Sequence, residues 1–132
     1  MALAIIEEFR DNMLDEITAG IDQDVGAGEL RIFDSSRPAT GGAETTELAA
    51  LTLTDPFAAA ASSGVLTASA IADDTSTVAG TATWFRLVDN SGDPIVDGDV
   101  GTSGSDLNLN SVAISAGGTV SVTSLVITAG NP

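Results

Sequence analysis

The stretch Gly80-Thr81-Ala82-Thr83-Trp84-Phe85-Arg86-Leu87-Val88, closed by Asp89-Asn90-Ser91-Gly92-Asp93-Pro94, constrains this chain more than any other. It is the longest unbroken run of strand-forming residues, it holds the only Trp, and it is bounded by Gly on one side and turn formers on the other. On a period of two, Thr81, Thr83, Phe85 and Leu87 face one way, while Ala82, Trp84, Arg86 and Val88 face the other. Large apolar groups on both faces predict a central strand covered on both sides.

Around it the punctuation is that of an all-β chain. Strands are expected at Glu29–Asp34, Leu48–Thr54, Gly64–Ile71, Ile95–Val100, in short pieces around Leu107, Leu109, Val112 and Ile114, and at Thr119–Thr128. In the last of these the alternation shifts phase between Val122 and Leu125, which predicts a bulge or burial of both faces. Pro38 and the pair Gly41-Gly42 make residues 35–42 a loop, and Ala58–Ala61 is a connector with room for one helical turn. About seven short strands at spacings near ten residues predict a mainly β fold, an antiparallel β-sandwich.

Residues 2–19 carry a different period. Ile6, Phe9, Met13 and Ile17 recur at spacings of three and four, Leu14 and Ile21 widen the stripe, and Glu7, Glu8, Asp11, Asp15 and Glu16 lie mostly opposite. That predicts an N-terminal amphipathic helix stopped at Gly20. An isolated helix of this length is marginal in water, so its stripe must be buried, against its own sheet or as an arm on a neighbouring subunit. The organisation is then residues 1–26 as helix or arm and residues 27–132 as the β-sandwich domain.

Chemistry is constrained by what the 132 residues lack. The formal charge of −15 comes from nineteen acidic residues against Arg10, Arg31, Arg37 and Arg86, with no Lys. Such a surface repels nucleic acid and anionic membranes, since phosphate binding needs clustered cations. No apolar run reaches the length of a membrane span, and Met1–Glu8 lacks the basic start of a signal peptide. Without His, Cys, Lys or Tyr, a catalyst would have to be built from carboxylates, Ser and Thr, and the sequence is read as a non-enzyme needing no cofactor. Asp73-Asp74 and Asp97/Asp99 read as turn and hairpin acids before they read as a glycosidase pair. Asp89, Ser91 and Asp93 have the alternate spacing of calcium-loop ligands, with Asp97 and Asp99 nearby, but Pro94 and Val100 stand where an EF-hand needs Gly and Glu. An ordinary hairpin turn is the expected reading.

The ordered set Leu30-Arg31-Ile32-Phe33-Asp34, Arg37-Pro38-Ala39-Thr40-Gly41-Gly42, Leu53-Thr54-Asp55-Pro56-Phe57, Gly80–Arg86, Asp97-Gly98-Asp99-Val100-Gly101 and Asp106-Leu107-Asn108-Leu109-Asn110 resembles a family of small virion structural proteins of tailed bacteriophages. The likeness runs over nearly the whole chain. It implies a virion component and leaves the position open. With the acidic balance, the expectation is a capsid decoration or cement protein, made in the host cytoplasm and bound to the exterior of the head. Its partners would be the major capsid protein and copies of itself, with a trimer the natural guess for a protein on a local symmetry axis. A tail or head-fibre component is the alternative, and a carbohydrate- or calcium-dependent adhesion module comes from another class. The expected contact residues are the helix stripe, Ile6, Phe9, Met13 and Ile17, and the loop residues Arg37 and Pro38.

Overall fold

The computed structural model describes residues 4–76 and 78–129. A single helix, α1 (Glu7–Ile21), comes first. Eleven strands follow among the described residues: β1 (Glu29–Phe33), β2 (Glu47–Thr52), β3 (Val65–Thr67), β4 (Asp74–Thr75), β5 (Gly80–Thr81), β6 (Trp84–Val88), β7 (Pro94–Gly101), β8 (Leu107–Leu109), β9 (Ala113–Ile114), β10 (Thr119–Val120) and β11 (Val122–Thr128). Seven of them form one sheet in the order β2-β1-β6-β7-β8-β11-β3, and the pairs β10-β4 and β5-β9 make two short ladders.

The protein is therefore mainly β with an N-terminal helix. Leu30, Ile32, Leu48, Leu51, Phe85 and Leu87 from one end of the sheet share a single core with Leu66, Leu107, Leu109 and Leu125 from the other. The sheet curls so that its two ends enclose that core, which gives a sandwich-like body. One pairing is not antiparallel: β7 and β8 run parallel through Val100↔Leu107 and Gly101↔Asn108. A full parallel pair needs a long crossover, but a contact of two residue pairs is reached by the short loop 102–106.

Strand β6 holds the centre, between β1 and β7, and all five of its residues are buried. Phe85 and Leu87 enter the main core. On the opposite face Trp84 stacks on Phe33, with ring centroids 4.3 Å apart and planes 20° from parallel. The cover on that face is not a second sheet but the chain between β1 and β2, residues 34–46. Trp84 Nε1 donates to the Asp34 carbonyl (3.1 Å) and to Thr45 Oγ1 (2.9 Å), which fixes both ends of this strap over the indole. The expected strand 80–88 is interrupted at Ala82 and Thr83. There the chain changes partners: Gly80 and Thr81 pair with β9, whereas Thr83 N donates to the Phe33 carbonyl and leads into β6. Gly98 lies opposite Phe85, and a Cβ on it would stand 2.5 Å from the ring, so a glycine there lets the aromatic lie across the β7 backbone.

Other boundaries moved for local reasons. The helix was expected over 2–19. Residues 2 and 3 lie outside the described residues, 4–6 precede the helix, and α1 runs through Gly20 to Ile21. Gly20 is used for close approach, with its Cβ position 3.4 Å from Ile95, and the fully buried Ile21 carries the helix one residue further. The expected strand 64–71 pairs as a strand only over β3, and Ala58–Ala61 makes no helical turn but bridges Ala58 to Ala68. The last strand divides at Ser121 into β10 and β11, with an irregular register between Val122 and Ser124 where the sequence shifts phase.

Candidate functional site

Two apolar rows run along α1 at the spacing i, i+3, i+7. Leu14, Ile17 and Ile21 face the sheet: Leu14 and Ile21 are buried in the core and Ile17 packs against it. Ile6, Phe9 and Met13 are 62%, 58% and 53% exposed. At 3.6 residues per turn the rows are about a quarter turn apart, too wide for one contact to bury both. The expected stripe is thus divided, with Ile17 inside and the other three outside.

What holds the inner side of the helix is partly polar. Asp11 accepts the Gly64 N–H and Asp15 the Ala61 N–H, both at 2.7 Å, and the Asp22 carboxylate accepts the Phe57 N–H at 3.1 and 3.2 Å. Residues 57–64 therefore wrap the helix through three Asp side chains. The expectation that Asp11 and Asp15 lie on a solvated face is corrected here. Asp11, Asp15 and Asp22 follow at i, i+4 and i+11, so they share one side of the helix and meet the docked backbone together, while Glu7, Glu8 and Glu16 remain exposed. That spacing is the signal in the sequence that could have found the contact.

The strap over β6 and β7 is pinned by charge. Arg86, 4% exposed, donates to Asp97 through Nε (2.7 Å) and Nη2 (3.0 Å), and Nη2 also reaches the Gly42 carbonyl at 2.8 Å. The Gly41 N–H donates to Asp97 Oδ2 at 2.9 Å. Arg86 also lies over the Trp84 ring, 5.2 Å from its centroid. Arg37, at the outer edge, pairs with Asp99 (3.3 Å) and approaches the Asp97 carbonyl (3.5 Å), while Pro38 is half-buried beside it. Of the two loop residues expected to meet a partner, Arg37 is paired within the chain and Pro38 is partly covered.

With Arg31 bonded to Glu29 (3.0 Å) and Glu44 (3.2 Å), and Arg10 to the carbonyls of Ile5 and Ala129 (both 3.1 Å), all four arginines are engaged within the chain. Of the acids considered for calcium, Asp89, Asp97 and Asp99 are engaged too. Asp89 Oδ1 accepts the N–H groups of Ser91 (3.0 Å) and Asp93 (2.9 Å), and Oδ2 accepts from Gln23 at 2.6 Å, which makes it the organiser of a hairpin turn. Asp97 serves Arg86 and Asp99 serves Arg37. No group of three His, Cys, Asp or Glu suited to a metal occurs among the described residues. Asp74 is a strand residue opposite Val120. A mostly polar cleft of about 300 Å³ is lined by Glu29, Arg31, Thr52, Asn90, Ala27 and Gly28, among others.

Burial would raise the Asp97 carboxyl, but its hydrogen bonds to Arg86 and Gly41 outweigh that and hold it below the ordinary range. Asp89 is held low as well, chiefly by the Asp93 N–H. A carboxylate whose pKa is lower folded than unfolded adds stability above its unfolded pKa and loses it as pH falls through the folded one. The stability gap between the native protein and Asp97→Asn is expected to be constant from neutrality down to about pH 5 and to close below about pH 4. Glu47, pushed up by burial, titrates in both proteins and cancels from the difference. Urea midpoints across this range check it, and a gap that widens in acid would contradict the pairing.

Fold and surface together define a class: a mainly β protein with a docked N-terminal helix, its cations spent on internal bonds and an apolar row left open on the helix. No helix among the described residues is long and apolar enough to cross a membrane. No protein-family model, curated protein or solved structure matches the chain.

Proposed function

We propose that this protein is a structural subunit of a bacteriophage virion without catalytic activity, a decoration or cement protein that binds the outer surface of the head and ties neighbouring capsomers together. The observation that carries the reading is the row Ile6, Phe9 and Met13, more than half exposed on a helix that is otherwise firmly docked. A contiguous apolar row on a docked helix is a candidate interaction surface, and a rigid helix presenting apolar anchors is a standard way to engage a groove. The charge of −15 supports an external position, because packaged nucleic acid would repel the protein. Symmetric copies on a shell make modest contacts cumulatively strong. Ile17, Arg37 and Pro38 act here as supports of the helix and the strap.

The test is co-sedimentation with head shells that lack the protein, with tails and host cells as parallel targets. Saturable binding to shells at a copy number proportional to the capsomers is the expected result. Binding to tails or cells alone would move the protein to the fibre or adhesion class. Phe9→Ala combined with Met13→Ala is expected to weaken shell binding about a hundredfold, each side chain contributing on the order of 1.5 kcal/mol of apolar burial. Unfolding stability should change by no more than about 0.5 kcal/mol, since both side chains face solvent in the free protein. A large loss of stability with shell binding unchanged per folded molecule would show that the row serves the fold.

A further inference from the structure

The row Ile6, Phe9 and Met13 has a neighbour with its own pattern. Glu8, Asn12 and Glu16 follow at spacings of four, so they stack in a line along the solvent flank of the apolar row, and all three are exposed. Neither Glu8 nor Glu16 enters an ion pair among the described residues. No arginine bonds to them: Arg31 pairs with Glu29 and Glu44, Arg86 with Asp97 and Arg37 with Asp99, and Arg10 donates to the carbonyls of Ile5 and Ala129.

We infer that the occupant of this face is an apolar groove on a shell protein whose rim carries Lys or Arg side chains opposite Glu8 and Glu16, and not a second copy of this chain. The inference rests on the virion reading above and names the chemistry of the partner. Charge decides against the copy. Two molecules meeting through α1 would set −15 against −15 and bring two acidic rows to the same contact, with Arg10 the one helix cation to offset them. Area decides the same way. Three half-exposed side chains offer roughly 300 Å² of apolar surface, against about 800 Å² per partner in a stable pair, so a flat helix-to-helix contact does not suffice. A groove encloses the flanks of the helix as well, and there the Glu row becomes a source of specificity.

The experiment compares the full-length protein with Glu8→Lys/Glu16→Lys and with Phe9→Ser/Met13→Ser. All three are titrated onto shells lacking the protein, at low and at high salt, and their masses are followed alone by sedimentation velocity. Charge reversal at two exposed helix positions should leave the melting temperature close to that of the native protein, which keeps the binding result interpretable. It should weaken binding about tenfold at low salt, with the difference shrinking at high salt. The serine variant should lose binding at both, and the mass of the free protein should be the same in all three. Equal binding of the charge-reversed variant at every salt concentration would overturn the inference while leaving the shell reading intact. Self-association abolished by Phe9→Ser/Met13→Ser would overturn it in favour of a second copy. Should the native protein bind tails instead of shells, the head-decoration reading fails and with it the shell-protein groove. Binding to neither overturns both.

Discussion

Asp97→Ala is expected to destabilise the protein by about 3–5 kcal/mol, the range for removing one partner of a buried ion pair. The Asp97 side chain is 1% exposed and that of Arg86 5%, so neither is solvated in the folded state. The pair is bonded through two guanidinium nitrogens, at 2.7 and 3.0 Å, and the same carboxylate holds the Gly41 N–H of the strap. Alanine would leave the guanidinium buried with only the Gly42 carbonyl in hydrogen-bond range and Glu44 at 3.9 Å. The cost is that of an uncompensated charge, so removing the charge as well should recover part of it. Arg86→Met combined with Asp97→Ala is therefore expected to be more stable than Asp97→Ala alone. Urea unfolding of the three proteins measures this. A loss below about 1 kcal/mol in the single variant would mean that the pair behaves as a hydrated surface bridge.

The second large effect is expected at Gly28, just before β1. A Cβ there would collide with the Val88 carbonyl oxygen at the end of the central strand and stand 2.7 Å from Ile21 Cγ2, with Leu53 Cδ1 at 3.5 Å. Neither of the first two can yield: one is backbone of a fully buried strand, the other the side chain that anchors the end of α1. Moving away would also stretch the hydrogen bond from Leu53 N to the Gly28 carbonyl. Gly28→Ala is expected to cost about 3 kcal/mol, the upper part of the usual range for overpacking. Gly41 supplies the control. Its φ is +78° with nothing within 4 Å of a Cβ, so Gly41→Ala should cost only the backbone penalty of about 1 kcal/mol. Equal losses at the two sites, read from denaturant midpoints, would mean that the contact at Gly28 relaxes.

These two sites differ in how far the sequence announced them. Arg86 and Asp97 sit on segments whose strand character is plain from β-branched and aromatic content, and the alternation correctly placed Trp84 and Arg86 on one face and Phe85 and Leu87 on the other. Their partnership depends on the register of β6 against β7, which sets Arg86 opposite Asp97, and no local pattern states a register. At Gly28 the local pattern shows only a glycine between helix and strand. Its true constraint is the approach of Val88, which is distant in sequence, and of Ile21 across the intervening loop.

The division of the helix stripe has the same origin. The period of α1 follows from side-chain spacing and was visible in full. Which part of a wide apolar arc meets the sheet depends on how the helix is rotated, and the observed rotation both buries Leu14 and Ile21 and sets Asp11, Asp15 and Asp22 on N–H groups of residues 57–64. The approximate place of the longer strands, the central role of β6, the acidic surface and the shortage of catalytic side chains were properties of composition and short-range pattern, so the sequence by itself determined them. The strap that covers Trp84, the parallel contact of β7 with β8, the commitment of all four arginines and the exposure of Ile6, Phe9 and Met13 were decided only by the tertiary structure. The decisive contacts, such as Trp84 with Asp34 and Arg86 with Gly42, join groups far apart in the chain, where the energy of a contact is set by the neighbour that folding brings to it and not by the residues on either side.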